Sequence, residues 1–173
     1  MGFELKKLWM VFAALIVSAC LDSGNSEPAQ STTQATQALS KAESRVIEVW
    51  KTPTCGCCKA WIDHLQAEGF EVVANDVKND TSAHRAALGM PLDYASCHSA
   101  RVGGYAIEGH VPAADIRKLL DEKPVAVGLA VPEMPIGSPG MEHPSNPTRR
   151  DAFDVLLIEK SGAARTYTSY PAQ

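Results

Sequence analysis

No block of basic residues occurs anywhere in the 173-residue chain, and its formal net charge is −4 at pH 7. A surface built to neutralise phosphates needs clustered Lys and Arg, so nucleic acid is excluded as a partner. Long apolar runs are missing too. The apolar stretch 8–17 near the start is too short to cross a bilayer comfortably. Cysteine is sparse, with five residues in all, yet Cys55, Cys57 and Cys58 fall within four positions. The apolar share is ordinary at 45%, so the chain can bury a core, and its length suits one domain with an appendage.

The appendage is N-terminal. Lys6 and Lys7 precede the apolar stretch, and small residues Ser18 and Ala19 follow it, the layout of an export signal over 1–20. Val17-Ser18-Ala19-Cys20 resembles a bacterial lipobox. That resemblance implies cleavage before Cys20 and lipidation of its sulfur; an ordinary signal peptide with an incidental cysteine is the alternative. In both cases the protein is exported to a compartment where thiols oxidise. With a lipid it is anchored to the membrane on the periplasmic side. Leu21, where Asp would retain a lipoprotein at the inner membrane, favours the outer one. Residues 21–43, rich in Ser, Thr, Gln and Ala, form a flexible tether, and a folded domain spans 44–173.

The domain is organised around Thr52-Pro53-Thr54-Cys55-Gly56-Cys57-Cys58-Lys59. A strand pattern, 45–50, leads in. A helical pattern, 57–68, leads out, with Cys58, Trp61, Ile62 and Leu65 on one face and Gly69 at its end. The cysteines therefore belong at a helix N-terminus, where unpaired N–H groups and the positive end of the dipole favour thiolate. Cys55 and Cys58 alone make a C-x-x-C redox pattern. Cys57 adds a third sulfur that a dithiol enzyme does not need. Adjacent cysteines suit a single tetrahedral zinc poorly, whereas several thiolates in a small volume suit Cu(I). Metal thiolate chemistry, dithiol redox chemistry, and a structural disulfide or zinc module all remain open here. Lys59 is a candidate to offset thiolate charge.

Further strands are expected at 70–74 and over the glycine-containing run 102–111, with helices from Thr81 or Ser82 to Leu88 and over 113–122. A hairpin is expected from 152–159 and 164–170. A strand, a cysteine loop, a helix, a strand and a helix in that order open an α/β, thioredoxin-like fold. The hairpin would be the antiparallel half of its sheet, and 90–142 an inserted helix and loop region around the cysteines. Cys97 supplies the fourth thiol, so Cys55, Cys57, Cys58 and Cys97 are candidate metal ligands of a closed site, although four thiols also permit two disulfides. His98 beside it and His110 before a helix are secondary candidates, although a turn role fits His110 as well. The loop 132–144 carries four prolines and two glycines, which exclude a regular element. Met134, Met141 and His143 on that loop are further candidate ligands. A thioether binds Cu(I) and cannot form a disulfide; packing of the loop on the core is the alternative for both methionines.

Three motifs together resemble the CopG-like periplasmic copper-resistance family. They are the C-x-C-C stretch Lys51–Trp61, the pair Ser96–Ala100 and Val102–Ala113, and Gly128–Glu142. The resemblance covers roughly 45–170. It implies a thioredoxin-like fold that binds copper as Cu(I), in a thiolate cluster of more than one ion, with a redox role on copper. The function so implied is sequestration or redox buffering of Cu(I), in contact with other copper-efflux or copper-resistance proteins. The lipobox is a departure that the family motifs do not imply. A thiol-disulfide oxidoreductase working through Cys55 and Cys58 is the alternative from a different class.

Overall fold

The computed structural model describes residues 46–173. The export signal, lipidated Cys20 and tether expected from the sequence lie outside the described residues. No helix among the described residues is long and apolar enough to cross a membrane.

The fold is mixed α/β. Strand β1 (Val46–Lys51) alternates half-buried and buried residues, as a strand does with one face on a core. Helix α1 (Gly56–Ala67) follows and buries Cys58, Trp61, Ile62 and Leu65, the face expected from the sequence. Strand β2 (Glu71–Asp76) pairs parallel to β1. Helix α2 (Ser82–Ala87) and a single 3-10 turn (Leu92–Tyr94) come next. Strands β3 (Ser99–Val102) and β4 (Tyr105–Glu108) lead to helix α3 (Ala113–Glu122). Strands β5 (Gly128–Ala130), β6 (Phe153–Ile158) and β7 (Ala164–Tyr170) complete the domain.

All seven strands share one sheet in the order β2-β1-β3-β4-β5-β6-β7. Two of the neighbouring pairs, β1 with β2 and β4 with β5, are parallel, and the others are antiparallel. Core residues lie on both faces. One cluster joins Ile47, Val49, Ile107 and Leu129 of the sheet to Trp61 and Leu65 of α1 and Ile116 and Leu119 of α3. A smaller one gathers Met90, Ala106, Val127, Ala130 and Ile158. Ile107 and Ala106 are consecutive on β4 and so point to opposite faces, which puts both cores on one strand.

Two expectations need correcting. The run 102–111 is not one strand. Gly103 and Gly104 turn it back with φ of 54° and 84°, the double left-handed turn that closes a two-residue hairpin. A Cβ on Gly103 would also fall 2.5 Å from Leu120 Cδ2. The segment 90–142 is likewise more than an elaboration, because it supplies β3, β4 and β5 at the middle of the sheet. The antiparallel neighbour of β1 is β3, and the C-terminal hairpin extends the sheet beyond β5.

Candidate metal centre

The chain leaves β1 in a turn that brings Cys55 N–H to the carbonyl of Thr52 at 3.2 Å. Pro53 fits the second position of such a turn because its φ is preset. Cys55 then caps α1, its sulfur accepting the N–H of Cys58 at 3.3 Å. The cysteines thus stand at the helix N-terminus expected from the sequence. Cys58 is buried, while Cys55, Cys57 and Cys97 are half-buried.

Cys97 comes from a different part of the chain, between the 3-10 turn and β3. The tertiary fold sets it beside the helix, and the sulfurs of Cys55, Cys57, Cys58 and Cys97 all lie within 4.8 Å of one another. Cys55 and Cys58 are joined as a disulfide, leaving Cys57 and Cys97 as free thiols. The sulfur of Cys57 is 3.5 Å from that of Cys55.

A second group shares Cys97. Its sulfur lies 3.1 Å from Nε2 of His110 and 3.3 Å from Nδ1 of His98, and the three residues offer donor atoms within 4.8 Å of one another. His110 Nδ1 is 2.8 Å from the carbonyl of Pro139. A carbonyl only accepts, so Nδ1 carries the proton and the Nε2 lone pair faces the sulfur. Metal-binding imidazoles are commonly oriented by such a carbonyl. The Nε2 of His98 is buried without a hydrogen-bond partner, and its ring packs on Trp61 with centroids 4.3 Å apart. Trp61 is itself held by its Nε1–H donating to the carbonyl of Val111 at 2.9 Å.

The electrostatics favour neutral groups while no cation is present. Burial pushes the His98 pKa down to about 3, assisted by His110. Burial likewise lowers that of His110. The Cys97 thiol is pushed up to about 12, first by burial and then by the charge of Cys57. Among the described residues no cationic side chain offsets this. Lys59, a candidate for that task, is exposed and bonded to Asp63 at 2.8 Å along the helix. A soft cation fits the donor set. It would supply the positive charge that the buried sulfur lacks, and neutral imidazole nitrogens would add to the thiolates.

The proline-rich loop covers the centre. A Cβ on Gly140 would fall 2.6 Å from the backbone N of Trp61 and 2.8 Å from the carbonyl of Cys57, and its φ is +83°. Only glycine allows the loop to approach the first turn of α1 this closely. Met141 follows directly and is half-buried, whereas Met134 is 49% exposed. Among the candidate ligands, His98 and His110 join Cys97, and His143 lies outside both donor groups. His110 is fully buried, so it is more than a turn residue. Trp61, Arg85 and Glu108 were not singled out by the sequence as parts of the centre. A carboxylate inside the apolar run Ala106-Ile107-Glu108 was the available signal, because a buried charge demands partners.

Comparison with known proteins places this geometry. A family described as "Protein of unknown function, DUF411" matches residues 94–141, which include Cys97, His98, His110 and the covering loop as far as Met141. No curated protein matches. A solved structure named copper resistance protein CopG, form 1, is 47% identical, with a TM-score of 0.67, over 75% of this chain and 99% of its own. Form 2 is 48% identical, with a TM-score of 0.66, over 73% of this chain and 98% of its own. With that identity sustained over almost the whole of both solved chains, this chain belongs to the CopG copper-resistance protein family.

Proposed function

We propose that the protein is an exported, lipid-anchored copper-binding protein of the periplasm that sequesters or redox-buffers Cu(I). The observation that carries this reading is the convergence of four sulfurs within 4.8 Å, three from one helix N-terminus and one from a distant segment. The names of the similar solved structures support copper as the cargo. Cys55, Cys57, Cys58 and Cys97 are the thiolate ligands in the reduced state, and a cluster of more than one ion is part of this proposal. His98 and His110 add nitrogen donors at the Cys97 side, and Met141 on the covering loop is a thioether candidate. Export and lipidation at Cys20 rest on the N-terminal sequence.

We take the core as thioredoxin-like. Support comes from the order β2-β1-β3-β4, with β1 and β2 parallel, the β3–β4 hairpin beside them, and α1 and α3 sharing one core. That arrangement presents a reactive sulfur at the start of α1, and the chain departs from a plain dithiol site by placing two further thiols there.

One observation favours a second reading. Cys55 and Cys58 form a disulfide at the helix N-terminus, the arrangement a thiol-disulfide oxidoreductase uses, in which a partner's thiolate attacks one sulfur and displaces the other.

Anaerobic titration of the reduced protein with Cu(I) and with Zn(II), with metal-to-protein ratios from elemental analysis, separates these readings. Uptake of Cu(I) in preference to Zn(II), lowered in stoichiometry or weakened when Cys57 or Cys97 is replaced, is the expected result. Absence of Cu(I) uptake, alongside disulfide reductase activity that needs only Cys55 and Cys58, would overturn the copper reading.

A further inference from the structure

Cys97 occupies a segment without regular hydrogen bonding, between the 3-10 turn and β3. Its sulfur must nonetheless meet three others and two imidazoles. Something outside the sheet ladder has to hold it.

Glu108, the last residue of β4, is 0% exposed, and Arg85 on α2 is 7% exposed. One oxygen of Glu108 accepts the backbone N–H of Ser96 at 2.7 Å and the Nε–H of Arg85 at 2.9 Å. The other accepts the hydroxyl of Ser99 at 2.6 Å. Nη2 of Arg85 donates to the carbonyl of Ser96 at 3.0 Å and to the hydroxyl of Thr81 at 2.9 Å. The pair thus grips both backbone polar groups of the residue before Cys97, and the side chain of Ser99 two residues after it. Between these points, the carbonyl of His98 accepts the N–H of Gly109 at 3.1 Å.

We infer that Arg85 and Glu108 are the positioning residues of the metal centre, setting where the Cys97 sulfur and the His98 ring stand relative to the cysteines of α1. The inference rests on the proposed copper site and names what holds it in register. A buried ion pair adds little stability over an apolar pair of the same volume. Its specific return is directional, since a guanidinium and a carboxylate fix the Ser96 peptide by hydrogen bonds that hydrocarbon cannot make. Cys97 is left with rotation about its own side chain as its main freedom. Groups that orient metal ligands from outside the coordination sphere typically change metal affinity about 10–100-fold when replaced.

The test uses Glu108→Gln, which keeps shape and removes charge, and Arg85→Lys, which keeps charge and removes the fork. Asp115→Asn is the comparator. Asp115 is 3% exposed and accepts from Thr168 at 2.6 Å and Tyr170 at 2.7 Å, so it links α3 to β7 away from the centre. Two quantities are measured on the reduced full chain: Cu(I) affinity by competition with a chromogenic chelator, and the alkylation rate of Cys97 without copper, read on its own peptide by mass spectrometry. Both clasp variants are expected to weaken Cu(I) binding about 10–100-fold and to speed alkylation of Cys97 several-fold. The comparator is expected to lower the melting temperature and move neither quantity. Wild-type affinity and alkylation rate in both clasp variants would overturn the inference, as would equal changes in Asp115→Asn. If Glu108→Gln does not fold, Arg85→Lys decides alone. Should the wild-type chain take up no Cu(I) while the clasp variants still speed alkylation, the copper reading fails and the positioning role stands.

Discussion

His110 presents the Nε2 lone pair to the sulfur of Cys97 at 3.1 Å because its Nδ1–H is committed to the carbonyl of Pro139 at 2.8 Å. His110, just past β4 at the open end of the β3–β4 hairpin, and a loop residue between β5 and β6 thereby control one thiol. The same Cys97 is the only described cysteine outside the C-x-C-C stretch. It joins the four-sulfur group to the imidazoles.

Cys57→Ser and Cys97→Ser should each lower Cu(I) stoichiometry or weaken affinity by at least about tenfold, about 1.4 kcal/mol. A serine hydroxyl is hard and stays protonated near neutral pH, so it cannot replace a thiolate. Anaerobic competition titration checks this. Unchanged binding in both variants would remove the shared site.

Oxidation should switch binding off. In the disulfide-bonded state Cys55 and Cys58 offer no thiolate, and only Cys57 and Cys97 remain. Two electrons and two protons from a dithiol reductant restore both thiols. Protein with the disulfide verified by thiol counting should take up much less Cu(I) than the same sample after anaerobic reduction. Equal capacity in the two states contradicts the prediction.

Gly140→Ala should loosen the covering loop. The substitution forces a Cβ to 2.6 Å from the backbone N of Trp61 at a φ of +83°. Holding a non-glycine residue there costs about 1–3 kcal/mol. Thermal melts should show the loss, and faster amide exchange at Gly137 and Met141, whose N–H groups bond within the loop, should locate it. A melt and exchange pattern like wild type would mean that the loop does not close on α1 in solution.

The metal-free, reduced protein should lose stability as the pH falls below about 6.5. Burial lowers the pKa of His64, His98 and His110 in the folded protein from the ordinary value of 6.5. The unfolded chain therefore binds more protons in acid, and unfolding becomes easier as pH drops. This contribution is whole above pH 6.5 and is lost progressively below it, down to about 3 for His98. At His64 burial is the first cause, and its Nε2 also accepts the backbone N–H of Ala113 at 3.2 Å, a bond that is lost once the ring is protonated. His64→Gln keeps an acceptor without titrating, so the gap between melts at about pH 7.5 and about pH 5 should shrink. An unchanged gap would show that His64 does not contribute.

The membrane fraction of an expressing bacterium should contain a mature form beginning at lipid-modified Cys20. Intact mass spectrometry gives the answer directly. A soluble product with an unmodified Cys20 thiol would remove the anchor from the proposed function.

Much of this was legible in the sequence. Helix α1, its buried face and the cysteines at its start followed from apolar spacing and a glycine stop, which are local effects within one or two turns. The motifs around Cys55, Cys97 and Met134 pointed to the family, and the chemistry of clustered soft donors pointed to copper. Pairing across the sheet was not legible. The short strands β3, β4 and β5 hold only four, four and three residues, too few to show a period, and their order depends on partners distant in the chain. The approach of Cys97 to the helix cysteines, the burial of His98 and His110, and the clasp of Arg85 and Glu108 on Ser96 were decided by tertiary structure alone. Each needs segments between β1 and β6 brought to one end of the sheet, and no window of sequence carries the distance between them.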